Sequence, residues 1–279
     1  MEKLQKALSK ARRDRGGASA GTPRRRTPKT LSPAAPALIR PFPPVWDELQ
    51  PIEPNPDTLT AHRVITLNAQ AEANPFDILR TKIFLLMRQN GWTRLGITSP
   101  DKGCGKTTIS CNLAVGFSRQ QEVRSMLFDL DFRRPGIASI FEHRPEHDVR
   151  ALLTGEVSAA EQMVRLRTNV AISMSKNPVS DPTQILLSQK AVSVMDDIQK
   201  EFEPDIMIYD LPPMLVTDDA RAVLKNVDCA LIISRAEHTK VSQLDVCERE
   251  VAEHTNVLGV VLNSCRHLES TEEYYGDYA

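Results

Sequence analysis

The sequence predicts an α/β domain with a doubly wound, mostly parallel sheet, and two observations lead to this prediction. First, short apolar segments occur from about residue 75 onward, and helical segments separate most of them. The apolar segments are 95–98, 126–130, 170–173, 206–209, 230–234 and 257–262. The helical segments are 75–90, 106–119, 184–202, 217–226 and 240–254. Second, polar residues able to carry chemistry follow three of the apolar segments directly. Buried strands separated by helices form parallel sheets covered on both faces, so residues 75–267 are predicted to be one such domain.

The overall composition excludes several classes of protein. The chain has 279 residues, 41% of them hydrophobic, with 35 Lys and Arg against 36 Asp and Glu. This near-neutral balance argues against a protein that grips nucleic acid with its whole surface, and no nucleic-acid partner is expected. The sequence holds no run of about 18 apolar residues, so no bilayer span is predicted. Five cysteines without a CxxC pair are typical of reduced thiols in a cytoplasmic protein.

The N-terminal part of the chain differs in composition from the rest. Residues 1–56 hold eleven basic against five acidic side chains and ten of the nineteen prolines. Residues 18–74 are therefore predicted to be a Pro-rich basic linker that is largely disordered. Residues 1–17 are predicted to form a short amphipathic basic helix that ends at Gly16 and Gly17. Two interpretations of this helix stay open: a docking element for a partner protein or anionic membrane, or a solvated, frayed end.

A glycine-rich turn joins the first apolar segment to a helical one and predicts a phosphate-binding loop. Glycines let the backbone approach a phosphate chain, and the N–H groups of a loop and helix N-terminus point at the anion. The residues predicted to bind ATP here are Gly103, Cys104, Gly105, Lys106, Thr107 and Thr108. Lys106 is expected to reach the β- and γ-phosphates, and Thr107 to ligate Mg²⁺. Pro100 stands where the first glycine of the GxxxxGK[ST] pattern belongs, so only its second half is met.

Carboxylates follow two further strands. Asp129 and Asp131 lie two residues apart, which in a strand puts both on one face at the sheet edge where α/β proteins bind ligands. Asp210 ends another apolar strand, the usual position of a carboxylate that holds Mg²⁺ through water. Beside a triphosphate such carboxylates suit metal coordination and acceptance of a proton. The alternative is a solvated strand end with local pairs to Arg133 or Arg134.

Together the motifs SPxxGxGKTT, LFDLDFRRP and IMIYDLPP resemble the bacterial tyrosine kinases of exopolysaccharide and capsule synthesis. These belong to the deviant-Walker P-loop NTPases, which also include the partitioning ATPases. Further similar segments are residues 152–156, 181–186, 216–220 and 257–263. The resemblance covers about residues 75–265 and implies a partitioning-ATPase-like P-loop fold with ATP and Mg²⁺ as cofactors.

The resemblance also implies roles for the site residues. Lys106 would stabilise charge on the γ-phosphate, and the metal would be held by Thr107, Asp131 and Asp210. One of Asp129 and Asp131 would serve the metal and the other would draw the phenolic proton, with Asp129 favoured as the base. The Asn that ends the last predicted strand, Asn263, is a candidate for adenine recognition.

The C-terminal residues 268–279 form an acidic tail that holds three of the four tyrosines. Kinases of the resembling family carry a C-terminal tyrosine cluster that neighbouring subunits phosphorylate. By that analogy Tyr274, Tyr275 and Tyr278 are the phosphoacceptors. The alternative is an acidic tail in which the aromatic residues have no role.

The predicted function is that of an ATP-dependent protein-tyrosine autokinase that regulates polymerisation and export of exopolysaccharide or capsule. The resemblance implies three partners: an inner-membrane polysaccharide co-polymerase that activates the kinase, further copies that are phosphorylated in trans, and a phosphotyrosine phosphatase. The chain is expected to be cytoplasmic and to associate peripherally with the inner face of the plasma membrane through its partner. Pro75, Phe76 and Asp77 stand where ring-forming members have an EYR motif, so the resemblance does not extend to ring assembly.

Two other functions stay open on the sequence. A partitioning or positioning ATPase would cycle between monomer and dimer without phosphorylating protein, but Asp101 stands where such ATPases have their signature lysine. A nucleotide-binding adaptor of a polysaccharide export complex would bind ATP with negligible turnover.

Overall fold

The computed structural model describes residues 40–266, in which one sheet is flanked by helices. The strands in these residues are β1 (Gln50–Ile52), β2 (Arg94–Thr98), β3 (Ser125–Asp129), β4 (Val164–Leu166), β5 (Val170–Ser173), β6 (Ile206–Asp210), β7 (Cys229–Arg235) and β8 (Asn256–Asn263). The longer helices are α3 (Asn74–Asn90), α4 (Lys106–Phe117), α9 (Gln189–Phe202) and α11 (Val241–Ala252). The shorter ones are α1 (Val45–Glu48), α2 (Pro56–Ala61), α5 (Ile137–Ile140), α6 (Val149–Thr154), α7 (Ala159–Gln162), α8 (Pro182–Leu186) and α10 (Asp219–Leu224).

The strands form a single sheet in the order β1-β4-β5-β3-β6-β2-β7-β8. Every neighbouring pair is parallel except β4 and β5, which are antiparallel. The predicted doubly wound, mostly parallel sheet is therefore confirmed. Within the sheet Asp129 lies opposite Asp210, so the carboxyl ends of β3 and β6 bring two of the predicted carboxylates side by side.

The hydrophobic core lies on both faces of the sheet. In β3, Met126 and Phe128 belong to the cluster on one face, whereas Leu127 belongs to the cluster on the other. All five residues of β3 and of β6 are buried. Burying a large apolar side chain stabilises a fold by about 1.5–3 kcal/mol, so these central strands fix the positions of the groups at their ends.

The prediction of a disordered linker through residue 74 is wrong for residues 40–74. The compact unit begins at Arg40 rather than at residue 75. Trp46 is 1% exposed, its ring meets Phe202 edge-on at 5.7 Å, and its indole N–H donates to the Phe202 carbonyl at 2.9 Å. Leu59 and Val64 are buried as well. These anchors compensate for the high proline content, because apolar burial offsets the entropy lost on ordering the chain. The predicted helix 1–17, the linker residues 18–39 and the tail 268–279 lie outside the described residues.

Residues 40–67 form a strap that also binds the helix of the glycine-rich loop. The side chain of Asn112 in α4 accepts from the backbone N–H of Ile65 at 3.0 Å and donates to the carbonyl of Arg63 at 2.8 Å. The Thr66 hydroxyl donates to the Asn112 carbonyl at 2.7 Å. These three hydrogen bonds therefore hold the strap against α4.

Two further differences from the sequence prediction concern short elements. The predicted helix 184–202 is two helices, α8 and α9, because the Ser188 hydroxyl accepts from the Ala191 N–H and starts a new helix. Strands β1 and β4 were not predicted, since three residues are too few to show a pattern. None of the helices in residues 40–266 combines the length and apolar character needed to cross a membrane.

Candidate functional site

The glycine-rich loop connects β2 to α4 at the carboxyl edge of the sheet, as the sequence predicts. Gly103 and Gly105 have φ values of 70° and 94°, a left-handed conformation that favours glycine. A Cβ atom on Gly105 would in addition overlap the side-chain amide of Asn263. Helix α4 begins at Lys106 directly after this loop, and the unpaired N–H groups and dipole of a helix N-terminus favour a bound anion.

Thr107 and Asp210 form a hydrogen-bonded pair beside the loop. The Thr107 hydroxyl donates to Asp210 Oδ2 at 2.6 Å, and the Ser110 hydroxyl donates to Asp210 Oδ1 at 3.1 Å. Burial raises the pKa of Asp210 to about 6, although the nearby Lys106 acts in the opposite direction. Ser110 was not predicted as a site residue, yet it lies one helical turn after Lys106 and so on the same face of α4.

Asp129 is buried completely and is only half satisfied. Its Oδ2 atom accepts from the N–H groups of Gly136 and Ile137, each at 3.0 Å, whereas its Oδ1 atom has no hydrogen-bond partner in residues 40–266. Burial, and then the neighbouring charge of Asp210, hold the pKa of Asp129 well above its usual range. An unpaired buried carboxylate oxygen is costly, so this atom calls for a cation or a proton.

Asp131 lies beyond the end of β3 and lines an open cavity of about 430 Å³. The other lining residues are Lys102, Gly103, Lys106, Thr107, Arg133, Arg134, Pro212, Pro213, Val216 and Thr217. Burial raises the pKa of Asp131, while Lys106 partly offsets the shift. Asp131 is 7% exposed and Asp129 is fully buried, so the two carboxylates predicted to share one face have different environments.

Asn263 and Arg235 donate hydrogen bonds to backbone carbonyls of the glycine-rich loop. The Asn263 side-chain amide donates to the Cys104 carbonyl at 2.8 Å, and its Oδ1 atom accepts from the N–H of Ser264. The Arg235 guanidinium donates to the Gly103 carbonyl at 3.4 Å. Arg235, at the end of β7, was not predicted, because nothing in the local sequence links it to a loop more than 130 residues away.

The residues at this edge suit a nucleotide with Mg²⁺. Hydroxyl and carboxylate oxygens of Thr107, Asp210 and Asp131 are the hard ligands that Mg²⁺ takes, and the orphaned Oδ1 of Asp129 lies at the same edge. In the described part of the chain, no group of three or more His, Cys, Asp or Glu side chains is arranged to hold a metal alone. Mg²⁺ itself keeps several waters and binds proteins through one or two carboxylates together with substrate phosphates.

The predicted phosphoacceptors Tyr274, Tyr275 and Tyr278 lie outside the described residues. The fourth tyrosine, Tyr209, is 1% exposed in β6, and burial raises its pKa. Tyr209 is therefore inaccessible to an active site in the folded chain.

Comparison with known proteins gives a family and a set of relatives. A family model described as the CobQ/CobB/MinD/ParA nucleotide binding domain matches residues 95–277. EpsB of Ralstonia nicotianae, described as a candidate tyrosine-protein kinase, is 26% identical over 67% of this chain and 25% of its own length. The tyrosine-protein kinase CpsD of Streptococcus pneumoniae is 24% identical over 65% of this chain and 79% of its own length. The chain thus spans about a quarter of EpsB but most of CpsD.

Among solved structures, the chimerical protein CapA2B2 superposes with a TM-score of 0.65. The match has 20% sequence identity and covers 77% of this chain and 91% of that chain. This likeness shows a shared fold.

Proposed function

Since the chain belongs to the CobQ/CobB/MinD/ParA nucleotide-binding family, we propose that it is an ATP-dependent protein-tyrosine autokinase of an exopolysaccharide or capsule system. The observation that carries the proposal is the cavity beside the glycine-rich loop, where Lys106, Thr107 and Asp131 line one space next to Asp210. Phosphoryl transfer depends on positioning and charge neutralisation, and these groups supply both. The tyrosine-protein kinase names of the relatives support the choice of acceptor.

In the proposed mechanism the loop N–H groups from Gly103 to Thr108 bind the phosphates of ATP, and Lys106 contacts the γ-phosphate. Thr107, Asp210 and the unpartnered Oδ1 atom of Asp129 would hold Mg²⁺, and the bound ion would neutralise charge on the β- and γ-phosphates. Asn263, which already contacts the loop at Cys104, would lie next to the nucleotide base.

We assign the proton-accepting role to Asp131 rather than to Asp129, the base favoured on the sequence. Asp131 lines the cavity that an acceptor must enter, whereas Asp129 is fully buried and its Oδ2 atom already accepts two backbone N–H bonds. The raised pKa of Asp131, which follows from its burial, brings the carboxylate closer to the basicity needed to take a phenolic proton. Asp129 would then serve the metal through its unpartnered Oδ1 atom.

The acceptors in this proposal are Tyr274, Tyr275 and Tyr278 of a second copy of the chain. The activating partner would be an inner-membrane polysaccharide co-polymerase, which would keep the chain at the inner face of the plasma membrane. A phosphotyrosine phosphatase would reverse the modification.

The test compares the wild-type chain with a variant in which Tyr274, Tyr275 and Tyr278 are replaced by Phe. Phosphotyrosine formation and ATP hydrolysis are followed in parallel with Mg·ATP. We expect phosphotyrosine on the tail of the wild-type chain, none on the variant, and equal ATP affinity for both chains. Steady ATP hydrolysis without phosphotyrosine formation would point to a partitioning-type ATPase instead. ATP binding without either reaction, even with membranes from capsulated cells added, would point to an adaptor.

A further inference from the structure

One cavity residue, Arg133, makes a bidentate contact that the adjacent Arg134 lacks. Its guanidinium donates through Nε to Asp219 Oδ2 at 2.6 Å and through Nη2 to Asp219 Oδ1 at 3.2 Å. Arg134 lines the same cavity, yet its side chain makes no hydrogen bond within residues 40–266. A bidentate contact fixes the plane of a guanidinium as well as its position.

Asp219 is built to serve as an anchor. It begins α10, its side chain is 1% exposed, and its Oδ1 atom also accepts from the Thr183 hydroxyl of α8 at 2.6 Å. Burial alone would raise the pKa of Asp219, but the hydrogen bonds from Arg133 and Thr183 outweigh it and lower the pKa. The anchor is therefore an ionised carboxylate whose oxygens both have partners.

The remaining nitrogen of Arg133 is free to meet a ligand. The side chain is 42% exposed despite its anchor, and the described residues offer no hydrogen-bond partner to Nη1. Lys106 and Thr107 line the same cavity at the start of α4, where the phosphates are expected. A cation fixed on the wall of such a cavity can contact charge that develops away from the loop itself.

We propose that Arg133 contacts the γ-phosphoryl group during transfer, and that Asp219 and Thr183 are positioning residues that hold its guanidinium toward that group. This inference rests on the proposed kinase function. In the step concerned, the bond from the γ-phosphorus to the bridging oxygen of ADP breaks and a bond to the tyrosine oxygen forms. The phenolic proton passes to Asp131. Charge spreads over the equatorial oxygens of the transferred group, and a preorganised guanidinium stabilises it there without reorganising.

The chain offers a matched control for the anchor on the same helix. Arg221 of α10 donates through Nε and Nη2 to Glu250 Oε2, at 3.0 and 2.8 Å, and does not line the cavity. Asp219→Asn and Glu250→Gln both replace the carboxylate partner of an arginine by its amide. We expect Asp219→Asn to lower kcat for tail phosphorylation by about 10-fold to 100-fold with little change in KM for ATP. Glu250→Gln should stay within about twofold of wild type, in keeping with a partly exposed ion pair.

Chemical rescue separates an electrostatic role from a structural one. Arg133→Ala should lower kcat by about 10²-fold or more, and millimolar guanidinium should restore part of it. The rescue should vanish in the double variant Arg133→Ala with Asp219→Asn, because the carboxylate that would hold the added guanidinium is gone. Equal rescue in both backgrounds, or none in the first while its urea midpoint matches wild type, would overturn the proposal.

A binding measurement keeps this inference distinct from the kinase proposal. Arg133→Lys retains the charge but loses the fork, so it should weaken a non-hydrolysable ATP analogue at least about fivefold more than ADP. This comparison needs no phosphorylation and stays decisive if the wild-type chain proves inactive as a kinase. Equal losses for the two nucleotides, or no loss for either, would contradict contact with the γ-phosphate.

Discussion

The strap and the cavity lie at opposite ends of the same strands, and they differ in how one buried side chain at each is hydrogen-bonded: Asn112 at the strap and Asp129 at the cavity. The strap contacts the residues that directly precede β3 and β6. The Arg124 guanidinium, before β3, donates to the Pro41 carbonyl, and the Arg40 guanidinium donates to the Asp205 carboxylate, before β6. Its contact with Asn112 satisfies both atoms of that amide. At the carboxyl ends of the same two strands, a carboxylate oxygen of Asp129 has no partner among residues 40–266.

The difference separates the part of the molecule that stabilises from the part that acts. Satisfied amides and a buried indole lower the free energy of the folded chain, whereas unpaired or neighbouring carboxylates raise it. Groups kept at such a cost are typical of sites that bind a compensating ligand. Changes at the strap should therefore alter stability, and changes at the cavity should alter chemistry.

The largest effect is expected at the cavity, from Asp131→Asn. Loss of the proposed proton acceptor should lower the rate of tail phosphorylation by about 10² to 10⁴-fold. Nucleotide affinity, measured by calorimetry, should change much less than the rate, and the urea midpoint should not fall. Glu146→Gln, an exposed change on the loop before α6, is the control and should match wild type. A loss of affinity as large as the loss of rate would show that Asp131 serves binding rather than transfer.

At the strap, Trp46→Ala should give the next largest effect. Removing this buried indole should lower the free energy of unfolding by about 3–5 kcal/mol, as for other buried aromatic residues. Urea unfolding measures the loss, and the fraction that stays folded should bind ATP as wild type does. Trp46→Phe keeps most of the ring but leaves the Phe202 carbonyl without its donor, which should cost about 1–3 kcal/mol. An unchanged midpoint for Trp46→Ala would mean that the strap is the loose linker its composition suggested.

The pH dependence of the free energy of unfolding tests the cavity separately from the strap, because it depends on the carboxylate of Asp210. Burial raises the pKa of Asp210 to about 6, whereas an unfolded Asp titrates near 4, so the folded chain binds more protons between these values. Stability in the absence of metal should then fall as pH rises from about 4 to 6, by up to about 1.4 kcal/mol per pH unit from this group. Urea midpoints of wild type minus those of Asp210→Asn isolate the contribution. A difference that does not vary with pH would contradict a raised pKa.

The smallest effect is expected from Asn263→Ala at the edge of the loop. The lost bond to the Cys104 carbonyl should weaken ATP binding by about fivefold, as one net hydrogen bond of about 1 kcal/mol implies. If Asn263 also recognises adenine, the preference for ATP over GTP should narrow in the same calorimetric titrations. A uniform loss for both nucleotides would leave Asn263 with the loop contact alone.

Sequence patterns predicted the centre of the domain better than its margins. The strands β2, β3, β5, β6, β7 and β8 were predicted because each is a short run of apolar residues, and predicted helical segments separate most of these runs. The strap was missed because its prolines dominate the composition, although Pro56 begins a helix at a position that tolerates proline. What anchors the strap is Trp46, and a single residue gives no periodic signal.

In the site, too, residues in local motifs were predicted and contacts between residues distant in sequence were not. The loop and the aspartates at 129, 131 and 210 stand in local motifs, and the fold brings them to one edge. The contact between Arg133 and Asp219 spans 86 residues, and nothing near either residue indicates the other. Likewise, the different burial of Asp129 and Asp131 depends on the turn after β3, which wraps the N–H groups of Gly136 and Ile137 around one carboxylate.

The central claim, that this cavity transfers phosphate to the tyrosine tail, is tested most directly by intact-mass spectrometry of the purified chain before and after Mg·ATP. Lys106→Met is measured alongside, since it removes the cation next to the proposed γ-phosphate. We predict added phosphoryl groups that map to residues 268–279 in the wild-type chain and are absent from the Lys106→Met variant. Phosphoryl groups that persist in Lys106→Met, or a wild-type chain that stays unmodified with its membrane partner present, would contradict it.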